Sequence, residues 1–284
     1  MAREFYNLLE LSYVDVAAWL AETDVVLVPM GSTEKHGAHV PLGTDSITTI
    51  SVVERAARLA DVPHTPLVPF GYSPHHMGRV NERVGTITLS AETYRRVLYD
   101  VARSLIFHGV NKIIFVSHHG SNTKPIDEIL RRIRYETGAF VAWYKTPTER
   151  ECNVVKDILE GPPEETPGWH AGEMETAQVM AYNERLVHMD RAVNDRAHAP
   201  AWLGPAFSKK DGTATVEFQK SENIIIPMEH HEYSDSATIG NPFRGTKEKG
   251  LKLFEKEAEH LAAFINEVKK IDMVAHTRDF PGRA

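Results

Sequence analysis

Short apolar runs alternate with amphipathic stretches along this chain. Val25–Val28 is continuously apolar and reads as a strand buried on both faces. Thr65–Val68 is a further strand candidate. In Ala91–His108, Val97, Leu98, Val101, Leu105 and Ile106 fall on one face at helical spacing, and Gly109 supplies a C-terminal cap. Lys112–Val116 (KIIFV) reads as a second buried strand. Lys124–Thr137 reads as a helix closed by Gly138, and Ala139–Trp143 as a third strand. Glu173–Val187 and Glu248–Lys270 carry further helical patterns. Glu160–Pro167 (EGPPEETP) is a loop. The segment His198–Asn241 is rich in Pro, Gly and charge and predicts long connections with a hairpin at Ala214–Phe218. A β-α-β-α-β order with continuously apolar strands predicts an α/β fold. Its form is a three-layer α/β/α sandwich with a mostly parallel central sheet.

Composition narrows the partners. The chain has 284 residues, 42% hydrophobic and 25% charged, as in an ordinary globular protein. Its net charge of −7 argues against a nucleic acid or an anionic membrane as partner. No stretch approaches the ~20 apolar residues of a membrane span. The N-terminal MAREFYNLLELSYVDV carries acids and lacks the apolar core of a signal peptide. Cys152 is the single cysteine, which excludes an internal disulfide. The expected compartment is cytoplasmic. The unusual feature is 15 histidines, several paired: His75-His76, His118-His119, His230-His231.

The candidate chemistry lies at strand ends, where open α/β sheets bind ligands. GSTEKHGAHVPLGTD follows Val25–Val28 at positions 31–45 and brings Glu34, His36, His39 and Asp45 together. SHHG follows Lys112–Val116 and brings His118 and His119. Carboxylate with imidazole suits Zn, Mn or Fe. In Glu34-x-His36 both side chains leave one side of an extended segment. A single Asp bridging two ions, with Glu on one and His on the other, is an economical dinuclear arrangement. His39 reads as structural rather than as a ligand. The histidines of MEHHEY (228–233) read as a solvated loop.

GSTEKHGAHVPLGTD resembles the opening signature of the creatininase (creatinine amidohydrolase) family. SHHGSN at 117–122 resembles its second signature, NGHGGN; WHAGEMET at 169–176 resembles its HAGExET segment. GNPFRGTKEKG at 240–250 resembles its C-terminal stretch. The resemblance covers about residues 5–270. It implies one creatininase-like domain over 1–284, a homo-oligomer of hexameric type, a site with two divalent metal ions and a small-molecule substrate. Carried over, Glu34 and His119 would bind one metal, His36 the other, and Asp45 both. Creatininase has a further Glu ligand where this chain has Ser121. Glu173 is the expected replacement rather than Glu175, because His170 and Glu173, three apart, share a helix face while Glu175 lies on the other side. His170 matches the family's catalytic His and would aid proton transfer to the leaving group. His76, His118, Ser121 and Trp169 are the expected substrate contacts. SPHHMGRVNERVGTITL at 73–89 departs from the family in its longer, charged Arg79–Arg83 link, which lies where the family lines the substrate mouth.

The expected function is metal-dependent hydrolysis of a C–N bond in a small cyclic amide or formamide. One rival is C–C ring opening of a cyclic diketone of the 3-dehydro-scyllo-inosose hydrolase type. Another is a non-catalytic metal-binding oligomer that scaffolds a partner.

Overall fold

The computed structural model describes residues 3–145, 154–161 and 170–283. Trp169, Cys152 and positions 162–167 of the expected loop lie outside them. The central sheet has strands β1 (Val25–Pro29), β2 (Lys112–Ser117) and β3 (Phe140–Lys145), all parallel, in the order β1-β2-β3. Alternate residues of β1 and β2 enter two separate cores. Val25, Leu27, Ile114 and Val116 face one; Val26, Val28, Ile113 and Phe115 face the other. Burial on both sides is what a continuously apolar strand encodes.

Among the described residues, six α-helices complete the main body. α1 spans Tyr13–Glu22, α2 Thr44–Ala60, α3 Ala91–Phe107, α4 Asp127–Thr137 and α5 Glu173–Asn183. A four-residue α6 (His230–Tyr233) precedes the long α7 (Lys247–Lys269), which makes the tally seven with that short turn. Helices α2 and α7 cover one face of the sheet, with Val52, Val53, Phe254 and Leu261 in its core. Helices α3 and α4 cover the other through Leu98, Ile106, Ile129 and Ile133. Helix α5 packs on α7 through Met174, Ala177 and Leu253. The three-layer α/β/α arrangement is therefore observed.

Several elements differ from the pattern reading. The stretch Thr65–Val68 makes only isolated parallel bridges near β1, at His64 and Val68. Pro63, Pro66 and Pro69 remove the donors a continuous ladder needs. Helix α4 begins at Asp127, with Asp127 and Glu128 at its positive end, after a 3₁₀ turn at Gly120–Thr123. Helix α5 ends at Asn183 and a 3₁₀ turn continues to Leu186. The hairpin is present as β5 (Thr215–Phe218) and β6 (Ser221–Ile225), joined by β4 (Phe207–Ser208) into a small antiparallel sheet. Among the described residues, no helix is long and apolar enough to cross a membrane.

Candidate metal centre and cavity

Register fixes where the chemistry collects. Pro29 pairs with Val116, so the carboxyl ends of β1 and β2 lie side by side. The loop after β1 carries Glu34 and His36 and ends in α2, whose first turn holds Asp45. The residues after β2 supply His119. Gly37 has φ +51, and a Cβ there would sit 2.7 Å from Thr238 Oγ1, so only glycine suits this turn.

Two groups of ligand-type atoms, buried except for the half-buried Glu175, meet at Asp45. One comprises Glu34, Asp45 and His119; the other His36, Asp45 and Glu175. His119 Nδ1 lies 3.3 Å from Asp45 Oδ2, and its Nε2 lies 3.2 Å from Glu34 Oε2. His36 Nε2 lies 3.7 Å from Asp45 Oδ1 and 3.8 Å from Glu175 Oε2. His36 Nδ1 sits 3.1 Å from the Glu34 carbonyl, which fixes Nδ1 as the donor and leaves Nε2 with its lone pair. His119 Nε2 is 3.1 Å from the Tyr72 carbonyl, which likewise turns Nδ1 toward Asp45. A backbone carbonyl behind a ring nitrogen is the usual support of a metal-binding imidazole. His36 Nε2 and Asp45 Oδ2 are buried without a hydrogen-bond partner. Buried polar atoms left without a hydrogen-bond partner inside such a cluster are the mark of a cation site. Three carboxylates and two imidazoles around one shared Asp fit two divalent ions of the Zn, Mn or Fe type.

The electrostatics agree. Burial opposes charge on His36, but Asp45, Glu175 and Glu34 outweigh it and raise the imidazole to about 10. His119 is raised to about 9 against its own burial, by Glu34 and Asp45. Burial raises Glu34. It also raises Glu175 to about 8, with His36 opposing. Asp45 is held low despite burial, by His36 and His119. Protons on the imidazoles thus balance the acids, and a bound cation would displace them.

The expectation for Glu173 is corrected. Its carboxylate accepts from Glu160 N and Gly161 N at 2.8 Å each and pairs with Lys249 Nζ, away from the cluster. The helical-phase argument fails because His170 is not helical. Helix α5 starts at Glu173, Gly172 is its extended N-cap, and Ala171 has φ +51. The chain turns between His170 and the helix, so Glu175 is the acid that reaches His36.

His170 Nε2 lies 2.8 Å from the Lys35 carbonyl and donates to it. Its Nδ1 then faces Glu34 Oε1 at 4.0 Å with a free lone pair. The ring stacks on His36 with centroids 4.1 Å apart. Burial first, then His36 and His230, push its imidazole well below the ordinary value. His76 Nε2 lies 3.4 Å from Glu34 Oε1. His230, expected in a solvated loop, is instead buried, with its ring 4.3 Å from His76 and 4.7 Å from His170. Its only sequence signal was the His-His pair. His39 turns away from the acids, to Thr176 Oγ1 at 3.0 Å.

The cluster floors a cavity of about 190 Å³. Its walls include His75, His76, His118, Ser121, Lys124, Thr213 and Tyr233. Ser121 Oγ lies 3.3 Å from His75 Nε2. His118 reaches the cavity wall, but its Nε2 is bound at 2.8 Å to the buried Glu257. Arg79–Arg83 is not among the residues that line this cavity.

Comparison with known proteins places this geometry. The family model for creatininase (creatinine amidohydrolase) matches residues 9–265. The creatinine amidohydrolase of Pseudomonas putida is 31% identical over 270 residues, covering 91% of this chain and 95% of that protein. The 3-dehydro-scyllo-inosose hydrolase of Thermotoga maritima is 28% identical over 180 residues, covering 62% and 55%. Among solved structures, a mutant creatininase described as of Zn-Zn type has a TM-score of 0.72 at 24% identity, covering 95% of this chain and 100% of that one.

Proposed function

Because the chain belongs to the creatininase family of hydrolases, we propose that it hydrolyses a C–N bond in a small cyclic amide or formamide at a dinuclear metal centre. The sharing of Asp45 between two groups of ligand atoms carries this reading. Glu34, Asp45 and His119 would hold one ion, and His36, Asp45 and Glu175 the other. Ions bound there supply an activated water and a polarised carbonyl.

The chain's own groups do the rest. Ser32 Oγ donates to Glu34 Oε2 at 3.0 Å and keeps that carboxylate oriented. His170 is locked by the Lys35 carbonyl into the tautomer with Nδ1 free. Held neutral, it takes a proton at Nδ1 as the carbonyl is attacked. It returns that proton to the departing nitrogen, as general acid–base catalysis requires. His76 and His230 pack beside it and line the cavity, and His76 Nδ1 and His230 Nε2 are buried there without hydrogen-bond partners. Ser121 and Thr213 add hydroxyls to the wall.

The test is a hydrolysis screen on protein loaded with Zn, Mn or Fe, comparing cyclic amides, formamides and keto-inositols. Turnover of the first two classes that a chelator abolishes is the expected result. Turnover of keto-inositols alone would replace the reading with C–C ring opening. Metal bound at two equivalents without turnover of any class would leave a scaffold.

A further inference from the structure

The cavity wall has an uneven charge. Its acidic residues are Glu34, Asp45 and Glu175, all within the candidate metal cluster. The remainder is His, Ser, Thr, Gly, Tyr and Lys. Three carboxylates against two divalent ions leave a single positive charge, which a metal-bound hydroxide would cancel, so the positive charge of the loaded cavity rests on its lysines. Lys124 is one of them. Among the described residues its ammonium has no acceptor, whereas Lys145, which also lines the cavity, has an interaction of its own. Nearby Lys209 is engaged with the Thr213 carbonyl and lies over the Tyr233 ring.

Lys124 is also well positioned. It directly follows the 3₁₀ turn Gly120–Thr123, and its N–H donates to the Ser121 carbonyl at 3.1 Å. Its backbone is right-handed helical, φ −67 and ψ −44, and continues that turn. Lys124 is exposed as a whole residue; desolvation on its cavity side lowers its ammonium from the ordinary value, and the charge opposing that is Glu34. A cation on Glu34 would remove this compensation and leave Lys124 without a countercharge. The protein as a whole is at −7, so the positive cavity is a local feature and not a general attraction for anions.

We propose that the cavity selects a substrate bearing a carboxylate distant from the bond that is cut, and that Lys124 is the residue that reads it. This deepens the metal-hydrolase reading and rests on it. The substrate class narrows to small anionic amides or formamides, and a cavity of about 190 Å³ suits a molecule of that size.

The experiment uses full-length, metal-loaded protein and two probes that differ by one charge. These are the monohydroxamate of succinic acid and the corresponding hydroxamate of succinamic acid, titrated calorimetrically. The hydroxamate end binds metal in both, and only the tail differs. Wild type should bind the anionic probe roughly tenfold more tightly, about 1.4 kcal/mol, within the range of one hydrogen bond to a charged group. Lys124→Gln should abolish the difference while the neutral probe keeps its affinity, and Lys124→Arg should retain most of it. Equal affinities in wild type, or a preference that survives Lys124→Gln, would overturn the proposal. So would loaded protein that binds neither probe. Elemental analysis separates these results from failure of the underlying reading, which would show as protein that takes up no metal and would remove the proposal with it.

Discussion

Glu173 and Glu175 sit two residues apart on the same helical turn, yet their substitution should have opposite consequences. Glu173 is buried and balances a buried ammonium, Lys249 Nζ, while accepting two backbone N–H groups. Glu173→Gln leaves that ammonium with only the exposed Glu160 and the Arg244 carbonyl. Removing one member of a buried pair costs about 3–5 kcal/mol. At roughly 2–4 °C per kcal/mol for a chain above 150 residues, Tm should fall by roughly 6–20 °C. Metal content should stay at the wild-type value. Glu175 balances no buried ammonium: it accepts the Ala171 N–H, which a Gln amide oxygen can still do, its carboxylate faces His36 and Asp45, and burial already disfavours its charge. Glu175→Gln should therefore leave the Tm of metal-free protein within a few degrees. It removes an anionic ligand from one ion, so affinity there should drop by more than the ~10–100-fold that loss of an outer-shell partner costs. Thermal unfolding with and without chelator, beside metal titration of each variant, measures both arms. A Glu173→Gln protein that is stable but lacks one metal, or a Glu175→Gln protein that is unstable but fully loaded, would refute the assignment.

Four further outcomes follow from the same contacts. Asp45→Ala should lose most of both ions, because both ligand groups share this residue; elemental analysis showing two equivalents retained would remove it from the site. His170→Ala should keep its metal and lose ~10²–10⁴-fold in kcat, with a smaller loss for substrates whose leaving group is already acidic; a missing ion would make His170 a ligand instead. Glu257→Ala should destabilise by about 1–3 kcal/mol for each polar group it strands behind the cavity, His118 and Gln178, and denaturant unfolding reads this directly. Gly250→Ala should lower stability by about 1–3 kcal/mol, because a Cβ there would lie 2.0 Å from the Ala177 carbonyl where α7 crosses α5; an unchanged unfolding midpoint would show that the helices can separate freely.

Local signals carried much of the architecture, and their failures have physical causes. The three parallel strands were legible because each is an unbroken apolar run whose burial needs no partner to be specified. Helix α2 was not, although it carries Asp45. Its buried positions include Thr44, Ser46, Thr48, Thr49 and Ser51, and a helix buried over so much of its surface shows little amphipathic contrast. These hydroxyls find partners inside the fold: Ser46 Oγ donates to the Ser32 carbonyl and Thr48 Oγ1 to the Thr44 carbonyl. A pattern rule reads them as polar surface.

The placement of the site residues divides in the same way. Glu34 and His36 lie on one short loop and Asp45 on the first turn of the helix it leads into, so sequence proximity and strand alternation sufficed to group them. Glu175 and His230 depend on turns that spacing does not encode. At Ala171 one residue in the left-handed region separates His170 from the helix that follows, and every phase relation across it is lost. His230 arrives from a four-residue helix flanked by extended backbone, far along the chain from His76 and His170. What brings it inward is the packing of Tyr233 with Val216, Met228 and Ile239 in a small satellite core. That core, built by the antiparallel sheet, sets the position of a ring 4.7 Å from His170. The segment between α5 and α7 therefore contributes to the cavity through its own hydrophobic interior, and a family motif alone does not locate such a contribution.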